Sequence, residues 1–225
     1  MPDDTPPAPS LPSLSEIRDT LYSAVISDAL DAAGLRQQCL ALDLTPMTGI
    51  QKMAGRARTT IWEDIDFEDP EPYQLELEAV DACQPGEIFV AAAQGSTRSG
   101  IWGELLSTAA LHRGCAGALI DGAVRDVAAM RAMQFPVFAR SRSPYDSLHR
   151  QRVIAHQTEV QIGGVTVSPG DLIFADEDGV VIVPQAVEAQ VITAAWQKVH
   201  AENEVREAIR SGQSATATFK QYGIL

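Results

Sequence analysis

The sequence predicts an α/β fold, and three observations support that prediction. Short stretches rich in Val, Ile and Ala alternate along the chain with stretches whose apolar residues recur at helical spacing. The chain has 225 residues, 45% of them hydrophobic, which suffices for one sizeable core. It contains no internal repeat and no linker long enough to separate two domains. We therefore expect one domain over residues 13–225, behind a flexible, proline-rich tail over residues 1–12.

The first element predicted after the tail is a helix. Ser13 and Glu16 have the spacing of a capping box, in which each residue satisfies a free N–H group of the other. Apolar residues then follow at helical spacing, at Ile17, Leu21 and Val25. Gly34 is a typical helix end. Ser27 is a candidate start for a second, short helix within this stretch.

The rest of the chain alternates between the two patterns. Strand composition occurs at residues 54–62, 88–92 and 136–139, as a strand followed by a turn within residues 115–124, and as several short strands within residues 159–183. Helices are predicted at the end of an acidic segment over residues 64–78, and at residues 104–112, 127–134 and 185–210. The small, polar residues 95–103 are predicted to form an active-site loop.

Composition excludes several classes of partner. The net charge of −13 repels phosphate backbones, so no nucleic-acid partner is expected. The sequence has no apolar run of transmembrane length, so no membrane association is expected. The cysteines, Cys39, Cys83 and Cys115, are odd in number and widely separated, which is typical of reduced thiols in a cytoplasmic protein.

Several familiar catalytic patterns are missing from the sequence. There is no phosphate-binding glycine loop, no dinucleotide fingerprint and no nucleophile elbow. None of the four histidines has His-x-x-x-His spacing, which disfavours a zinc site built on paired histidines. Cys115 is a candidate nucleophile, but no histidine partner is indicated, and its neighbours Ala116 and Gly117 favour a packing role.

The most informative segment begins with a buried strand predicted at residues 116–120. It leads into a turn that carries Asp121, Arg125 and Asp126, and α/β folds commonly bind ligands at the carboxyl ends of strands. Arginine suits a substrate carboxylate, and aspartate offers a hard oxygen to a divalent metal. For an isolated pair, a simpler interpretation would be favoured, in which Arg125 and Asp126 form a surface salt bridge or Asp126 caps the next helix.

These residues belong to a longer pattern that resembles the RraA-like family. The family includes class II 4-hydroxy-4-methyl-2-oxoglutarate / 4-carboxy-4-hydroxy-2-oxoadipate aldolases and the regulator of ribonuclease activity A. The resemblance covers nearly the whole chain. It is carried by Ala54-Gly55-Arg56-Ala57, Pro85-Gly86-Glu87-Ile88, Gly103-Glu104-Leu105-Leu106, Arg113-Gly114, Asp121-Gly122-Ala123-Val124-Arg125-Asp126 and Asp178-Gly179-Val180-Val181. It implies a layered α/β sandwich with central β-structure and flanking helices, and homotrimers or homohexamers with active sites between subunits.

The resemblance also implies roles for individual residues. Arg125 would contact the pyruvate part of a substrate, and Asp126 would bind Mg²⁺ or Mn²⁺. The loop of Gly103, Glu104, Leu105 and Leu106 would receive the substrate carboxylate on its backbone N–H groups, and Glu104 would lie near the water shell of the metal. A glutamate from the C-terminal region of a neighbouring subunit is also implied. Glu204 is the best match for it and Glu202 the second.

The function implied is that of a metal-dependent aldolase or decarboxylase. Such an enzyme releases pyruvate through an enolate from a small 2-oxo acid, either of the 4-hydroxy-4-methyl-2-oxoglutarate type or oxaloacetate. The composition agrees, because a Schiff-base aldolase needs a lysine amine in a pocket. The chain has only three lysines, and none lies in the central segment: Lys52, Lys198 and Lys220.

Two alternatives stay open. One is a non-catalytic regulator that binds a ribonuclease, although the length of the chain, the Gly103 loop and the long C-terminal helix disfavour it. The other is a relative acting on a different hydroxy or oxo acid, selected by residues 95–102 and 140–152. The second segment contains Arg140, Arg142, Arg150 and Arg152, which would either hold a second substrate carboxylate or form ion pairs between subunits.

Overall fold

A computed structural model describes residues 11–224, which form seven α-helices and eleven strands. The helices are α1 (Leu14–Thr20), α2 (Ser23–Ala32), α3 (Gln74–Asp81), α4 (Glu104–His112), α5 (Val127–Ala132), α6 (Glu188–Arg210) and α7 (Ala215–Tyr222). The strands are β1 (Thr45–Pro46), β2 (Met53–Asp64), β3 (Glu87–Ala92), β4 (Gly100–Trp102), β5 (Gly117–Val124), β6 (Val137–Arg142), β7 (Gln151–His156), β8 (Val160–Ile162), β9 (Val165–Val167), β10 (Leu172–Asp176) and β11 (Gly179–Val183). The predicted N-terminal tail lies largely outside the described residues.

Nine of the strands form one curled sheet, and β8 pairs with β9 in a separate hairpin. The main path runs β1-β6-β5-β3-β2-β10-β11, with β4 added beside β5 and β7 beside β2. Strands β2, β3, β5 and β6 run parallel to one another, whereas β1, β7 and β10 pair antiparallel with this group and β11 pairs antiparallel with β10. Parallel neighbours require crossover connections, which α3, α4 and α5 supply. The predicted α/β class, with helices flanking a central β-structure, is confirmed.

One hydrophobic core lies between the sheet and helix α4, and Trp102 is one of its largest side chains. Trp102 is buried with its ring 4.6 Å from that of Phe89, measured between centroids. Its indole N–H donates to the Ser107 hydroxyl of α4 at 2.8 Å, which satisfies the one polar group of this large side chain. A buried aromatic side chain contributes about 1.5–3 kcal/mol, so Trp102 fixes α4 firmly against the sheet.

The N-terminal helices differ in part from the prediction. The capping box of Ser13 and Glu16 is present at the start of α1, as predicted. The second helix, however, begins at Ser23 rather than Ser27. Its N-terminus is held by Asp176 of β10, which accepts hydrogen bonds from the Ser23 N–H at 2.8 Å and from its hydroxyl at 2.6 Å. A distant carboxylate therefore satisfies the free N–H groups of the helix.

Two predictions for the central segment were wrong. Residues 95–103 are not loop throughout, because Gly100–Trp102 forms strand β4 and pairs with the end of β5. Asp121 does not lie in a turn, because β5 continues to Val124 with every residue buried. The Asp121 carboxylate instead accepts a hydrogen bond from the Arg140 guanidinium of β6, so it is a paired core residue rather than a ligand-binding one.

The remaining predicted elements are present with shifted ends. Helix α6 begins at Glu188, after a short 3-10 turn at Gln185–Val187. Strand β7 and helix α7 were not predicted. Within residues 11–224, no helix is both long and apolar enough to cross a membrane.

Candidate active site

Asp126 lies two residues beyond the end of β5 and stands at the N-cap position of α5. Its backbone lies in the left-handed region with φ 56°, a conformation that aspartate adopts more readily than most residues. The carboxylate makes no capping hydrogen bond to α5, so the interpretation of Asp126 as a helix cap is wrong. Instead, its Oδ2 accepts a hydrogen bond of 3.3 Å from the backbone N–H of Glu104, at the start of α4.

Arg125 is held by a residue that sequence analysis did not identify. Its Nη1 lies 3.2 Å from Oδ2 of Asp146, whereas its Nε lies 3.8 Å from Oδ2 of the adjacent Asp126. The side chain keeps 34% of its surface exposed. The guanidinium is therefore oriented by Asp146 while retaining N–H groups for a ligand, because guanidinium has five donors.

Gly103 explains how the α4 loop approaches these side chains. Its φ of −150° is open to any residue, so backbone freedom is not why glycine stands here. A Cβ at this position would lie 2.7 Å from Oδ2 of Asp126 and 3.1 Å from Cγ of Arg125. Any larger residue would displace the Asp126 carboxylate or the Arg125 side chain, so glycine allows the N–H groups at the start of α4 to approach both side chains in their observed positions.

These groups border a cavity of about 300 Å³. Its lining includes the predicted residues Gly103, Leu105, Leu106, Arg125 and Asp126. It also includes residues that were not predicted, among them Tyr73, Glu76, Leu77, Ile101, Asp146 and Ser147. The structure thus brings the predicted loop and the Arg-Asp pair to one concave site, which is the usual form of a small-ligand pocket.

The Glu104 side chain bonds to its own helix, whereas its backbone contacts the Asp126 carboxylate. Its backbone N–H contacts Asp126, but its carboxylate Oε1 accepts a hydrogen bond of 2.8 Å from the Thr108 hydroxyl, one turn along α4. The residue is half-buried and, unlike Gly103 and Leu105 on either side of it, is not among the residues that line the cavity. Leu105 beside it is 76% exposed, so the rim of the cavity is an apolar surface there.

Glu76 is the most perturbed carboxyl of the cavity. The residue is only 6% exposed. Burial raises its pKa to about 8, the neighbouring Asp146 adds to that rise, and Arg125 opposes it. Removal from water disfavours the charged form of a carboxyl, so Glu76 is largely protonated at neutral pH.

Asp146 has the opposite character. Burial alone would raise its pKa, but the Leu148 N–H, the Tyr73 hydroxyl and the Arg125 guanidinium together lower it. The Tyr73 hydroxyl donates to Asp146 Oδ1 at 3.0 Å. Burial and this hydrogen bond raise the pKa of Tyr73 to about 12. One cavity therefore contains a neutral carboxylic acid, Glu76, and an ionised carboxylate, Asp146, because their surroundings shift the two pKa values in opposite directions.

Glu76 could have been noticed from the sequence. It is followed at i+3 and i+4 by Ala79 and Val80, and these three residues form the buried side of α3. A glutamate on the apolar face of a helix is an unusual feature that predicts either a partner or a function. No comparable local signal marks Tyr73 or Asp146, which lie in irregular segments.

The two C-terminal glutamates lie away from this cavity in the same chain. Glu204 is exposed on α6. Glu202 accepts a hydrogen bond from the Tyr22 hydroxyl and lies 3.9 Å from Arg206. A contribution of either glutamate to the site of a neighbouring subunit stays a prediction.

The arginine-rich segment has partners within the chain. Arg140 pairs with Asp121, and Arg152 lies 2.9 Å from Glu63. Arg150 donates to the carbonyl oxygen of Asp146 at 3.1 Å and lies over the Tyr145 ring. None of these arginines, nor Arg142, borders the cavity that contains Arg125, so they offer this site no second cation within the described chain.

Cys115 is buried beside Cys83. The Cys83 thiol, together with burial, raises the pKa of Cys115. The thiol form is therefore retained, which agrees with a packing role.

A divalent metal such as Mg²⁺ needs oxygen ligands from the protein, from water or from a substrate. Residues 11–224 contain no group of three or more His, Cys, Asp or Glu able to enclose an ion. Mg²⁺ nevertheless often binds through one or two carboxylates, with waters and substrate oxygens completing its shell. Asp126, which is free of a capping role and faces the cavity, fits that mode of binding.

The fold and the site define a mixed α/β protein whose cavity joins one guanidinium, a neutral carboxyl and two further carboxylates. The chain belongs to the RraA-like family, because the family model described as Aldolase/RraA matches residues 23–182. It is 33% identical over 188 residues to a Halalkalibacterium halodurans protein named "Putative 4-hydroxy-4-methyl-2-oxoglutarate aldolase", covering 84% of each.

Two other similar proteins have names that do not mention an aldolase. The chain is 29% identical over 213 residues to Protein DlpA of Legionella pneumophila, and that match covers 95% of this chain but 34% of DlpA. Among solved structures, Streptomyces coelicolor RraAS2, described as an unusual member of the RNase ES inhibitor RraA protein family, is similar with a TM-score of 0.74. It is 26% identical, with 88% of this chain and 99% of that chain covered.

Proposed function

We propose that this protein is a carbon–carbon lyase that releases pyruvate from a small 2-oxo acid with the help of Mg²⁺ or Mn²⁺. The observation that supports this most directly is the convergence of Arg125, Asp126 and the Gly103 loop on one cavity. Family membership supports a lyase, since the family includes aldolases. The substrates we propose are of the 4-hydroxy-4-methyl-2-oxoglutarate type or oxaloacetate.

Substrate binding falls to the start of α4 and to Arg125. The N–H groups of Leu105 and Leu106 lie in the first turn of α4, where free donors and the helix dipole favour an anion. They would receive the carboxylate of the 2-oxo acid. Arg125, oriented by Asp146, would donate to the keto oxygen.

Asp126 would hold the metal through its carboxylate. When bound, Mg²⁺ or Mn²⁺ would supply Lewis-acid polarisation of the keto group. Because Gly103 has no side chain, the Asp126 carboxylate can lie close to the proposed substrate-binding loop.

Bond cleavage places a negative charge on the former keto oxygen. The electrons of the C3–C4 bond move to C2 and C3, forming a pyruvate enolate whose oxygen Arg125 stabilises. In aldol cleavage, the C4 hydroxyl proton must also leave, and we assign its removal to Glu104, assisted by Glu204 of a neighbouring subunit in a trimer or hexamer. Oxaloacetate follows the same course by losing CO₂, which needs no such base.

A second candidate function rests on the similarity to RraAS2. In this alternative, the protein is a non-catalytic regulator that binds a ribonuclease. The neutral buried Glu76 and the cavity around Arg125 favour catalysis, because a surface-binding regulator has no need for either feature.

The test is pyruvate release from oxaloacetate, 4-hydroxy-4-methyl-2-oxoglutarate and 4-carboxy-4-hydroxy-2-oxoadipate, with Mg²⁺, Mn²⁺ or a chelator. The rate of metal-catalysed decay without protein is subtracted. Arg125→Ala and Asp126→Asn should lose activity, while Arg113→Ala, which alters an exposed arginine on the end of α4, should not. Absence of pyruvate from all three acids would favour the regulator.

A further inference from the structure

Glu76 has an unusual position for a residue without an assigned role. It is buried in the first turn of α3, yet its carboxyl borders the cavity that contains Arg125. The described part of the chain provides no hydrogen bond to this carboxyl, and Asp146 and Arg125 act on its pKa electrostatically. Its oxygens are not among the fully enclosed unpartnered side-chain atoms of the described chain, so they are reachable from the cavity and free to bond a ligand there.

A second cavity also borders Glu76. It has a volume of about 240 Å³ and is bordered by polar residues that include Asp69, Glu71 and Arg152. Tyr73 and Glu76 border both cavities. Glu76 therefore borders both the proposed substrate site and a separate polar cavity wide enough for water.

We propose that Glu76 is the general acid that protonates the pyruvate enolate at C3, and that it regains its proton from water in the second cavity. This inference rests on the proposed function, because it assigns a proton donor to that reaction. The raised pKa of Glu76 agrees with it, since a proton donor must be protonated at the working pH.

The proton transfer balances in a simple way. The enolate electron pair forms a C3–H bond with the Glu76 proton, the Glu76 O–H bond breaks, and the keto group of pyruvate is restored. Glu76 is left as a carboxylate, which Arg125 helps to tolerate. One proton from water then returns it to the acid form, so no oxidant or other co-reactant is consumed.

The experiment measures hydrogen exchange at the pyruvate methyl group. Wild-type protein is incubated with pyruvate and Mg²⁺ in D₂O, and the loss of methyl protons is followed by NMR. Three variants are compared: Glu76→Gln, Glu76→Asp and Glu78→Gln. Glu78 is an exposed glutamate on the same helix, so its variant controls for general effects on α3.

We expect Glu76→Gln to lower the exchange rate at least about 100-fold, the usual minimum contribution of a general acid. Glu76→Asp should retain part of the rate, and Glu78→Gln all of it. With oxaloacetate, Glu76→Gln should still consume substrate, but keto pyruvate should appear only after a lag, because the released enol must tautomerise in solution. A merely structural role would slow both processes equally.

The two hypotheses fail in different ways. If wild-type protein exchanges the protons and Glu76→Gln does so within about threefold, the role of Glu76 is overturned and the lyase proposal survives. If wild-type protein neither exchanges pyruvate protons nor releases pyruvate, both are overturned. Equal loss of substrate consumption and keto product in Glu76→Gln would also overturn the acid role.

Discussion

Asp146 Oδ2 lies 3.2 Å from Nη1 of Arg125, closer than the 3.8 Å that separates Arg125 Nε from the adjacent Asp126 carboxylate. The arginine is thus oriented by a residue distant in sequence. Asp146 also accepts hydrogen bonds from the Tyr73 hydroxyl and from the Leu148 N–H. It links the turn before β7, the start of α3 and the end of β5 around one cavity.

Asp146→Asn should therefore reduce activity without touching a predicted substrate contact. A hydrogen bond to a charged group contributes about 1.5–3 kcal/mol, so we expect kcat/KM for pyruvate release to fall roughly tenfold to 100-fold. Asp81→Asn removes an exposed carboxylate that pairs with Arg113 and should leave the rate unchanged. Wild-type kinetics in Asp146→Asn would show that Arg125 needs no such anchor.

Gly103→Ala tests the close approach of α4 to Asp126. The extended backbone accepts alanine, so the effect should be steric: the new Cβ would stand 2.7 Å from Asp126 Oδ2. Overpacking typically costs about 1–3 kcal/mol, and here the strain falls on the site. We expect pyruvate release to drop at least about tenfold, while the thermal midpoint falls by only a few degrees. A variant that melts early and keeps its activity would contradict this.

The part of the site that could be predicted is local in sequence. Arg125 and Asp126 are adjacent, and the Gly103 loop carries its own motif, so a linear pattern suffices to identify them. Tyr73, Glu76 and Asp146 meet them only because of the three-dimensional fold. Strand β7 pairs with β2, and α3 packs beside β7, which brings the segments before both elements to the end of β5.

Errors in the predicted elements have the same physical origin. Ser27-Asp28 has the local chemistry of a helix start, but Asp176 supplies a better cap at Ser23 from a distant strand. Asp121 has the polarity of a turn residue, but Arg140 on the neighbouring strand allows it to be buried within β5. Local propensity was overridden in both cases by a tertiary partner.

The raised pKa of Glu76 predicts a specific pH dependence of stability. Its ordinary value is 4.5 and its value in the folded protein is about 8. Between these values the folded protein retains a proton that the unfolded chain has lost, so stability is fully present below pH 4.5 and is lost as pH rises through about 8. Glu76→Gln should lack this loss.

The measurement is urea unfolding of wild type and Glu76→Gln at several pH values within that window. Their difference in unfolding free energy should shift against wild type by about 1.4 kcal/mol per pH unit. Glu78→Gln, on the exposed side of α3, should run parallel to wild type. Parallel curves for wild type and Glu76→Gln would mean that the buried carboxyl is not held in its neutral form.

Glu204 on α6 can act in catalysis only at the site of another subunit. Glu204 is exposed and lies away from the cavity of its own chain, so Glu204→Gln should leave the unfolding free energy unchanged. If the residue completes the site of a neighbouring subunit, the variant should lose pyruvate release at least about tenfold. Glu207→Gln, which alters another exposed glutamate of α6, serves as the matched control.

Mixing two impaired variants tests whether Arg125 of one subunit and Glu204 of its neighbour belong to the same active site. In random oligomers of Arg125→Ala and Glu204→Gln chains, on the order of one quarter of the shared sites would combine an intact Arg125 with an intact Glu204. Activity should therefore rise above that of either variant alone when the two are co-expressed or refolded together. A mixture that shows no such rise would place both residues in the same site of one chain or remove Glu204 from catalysis, since only a site shared between subunits can be restored in this way.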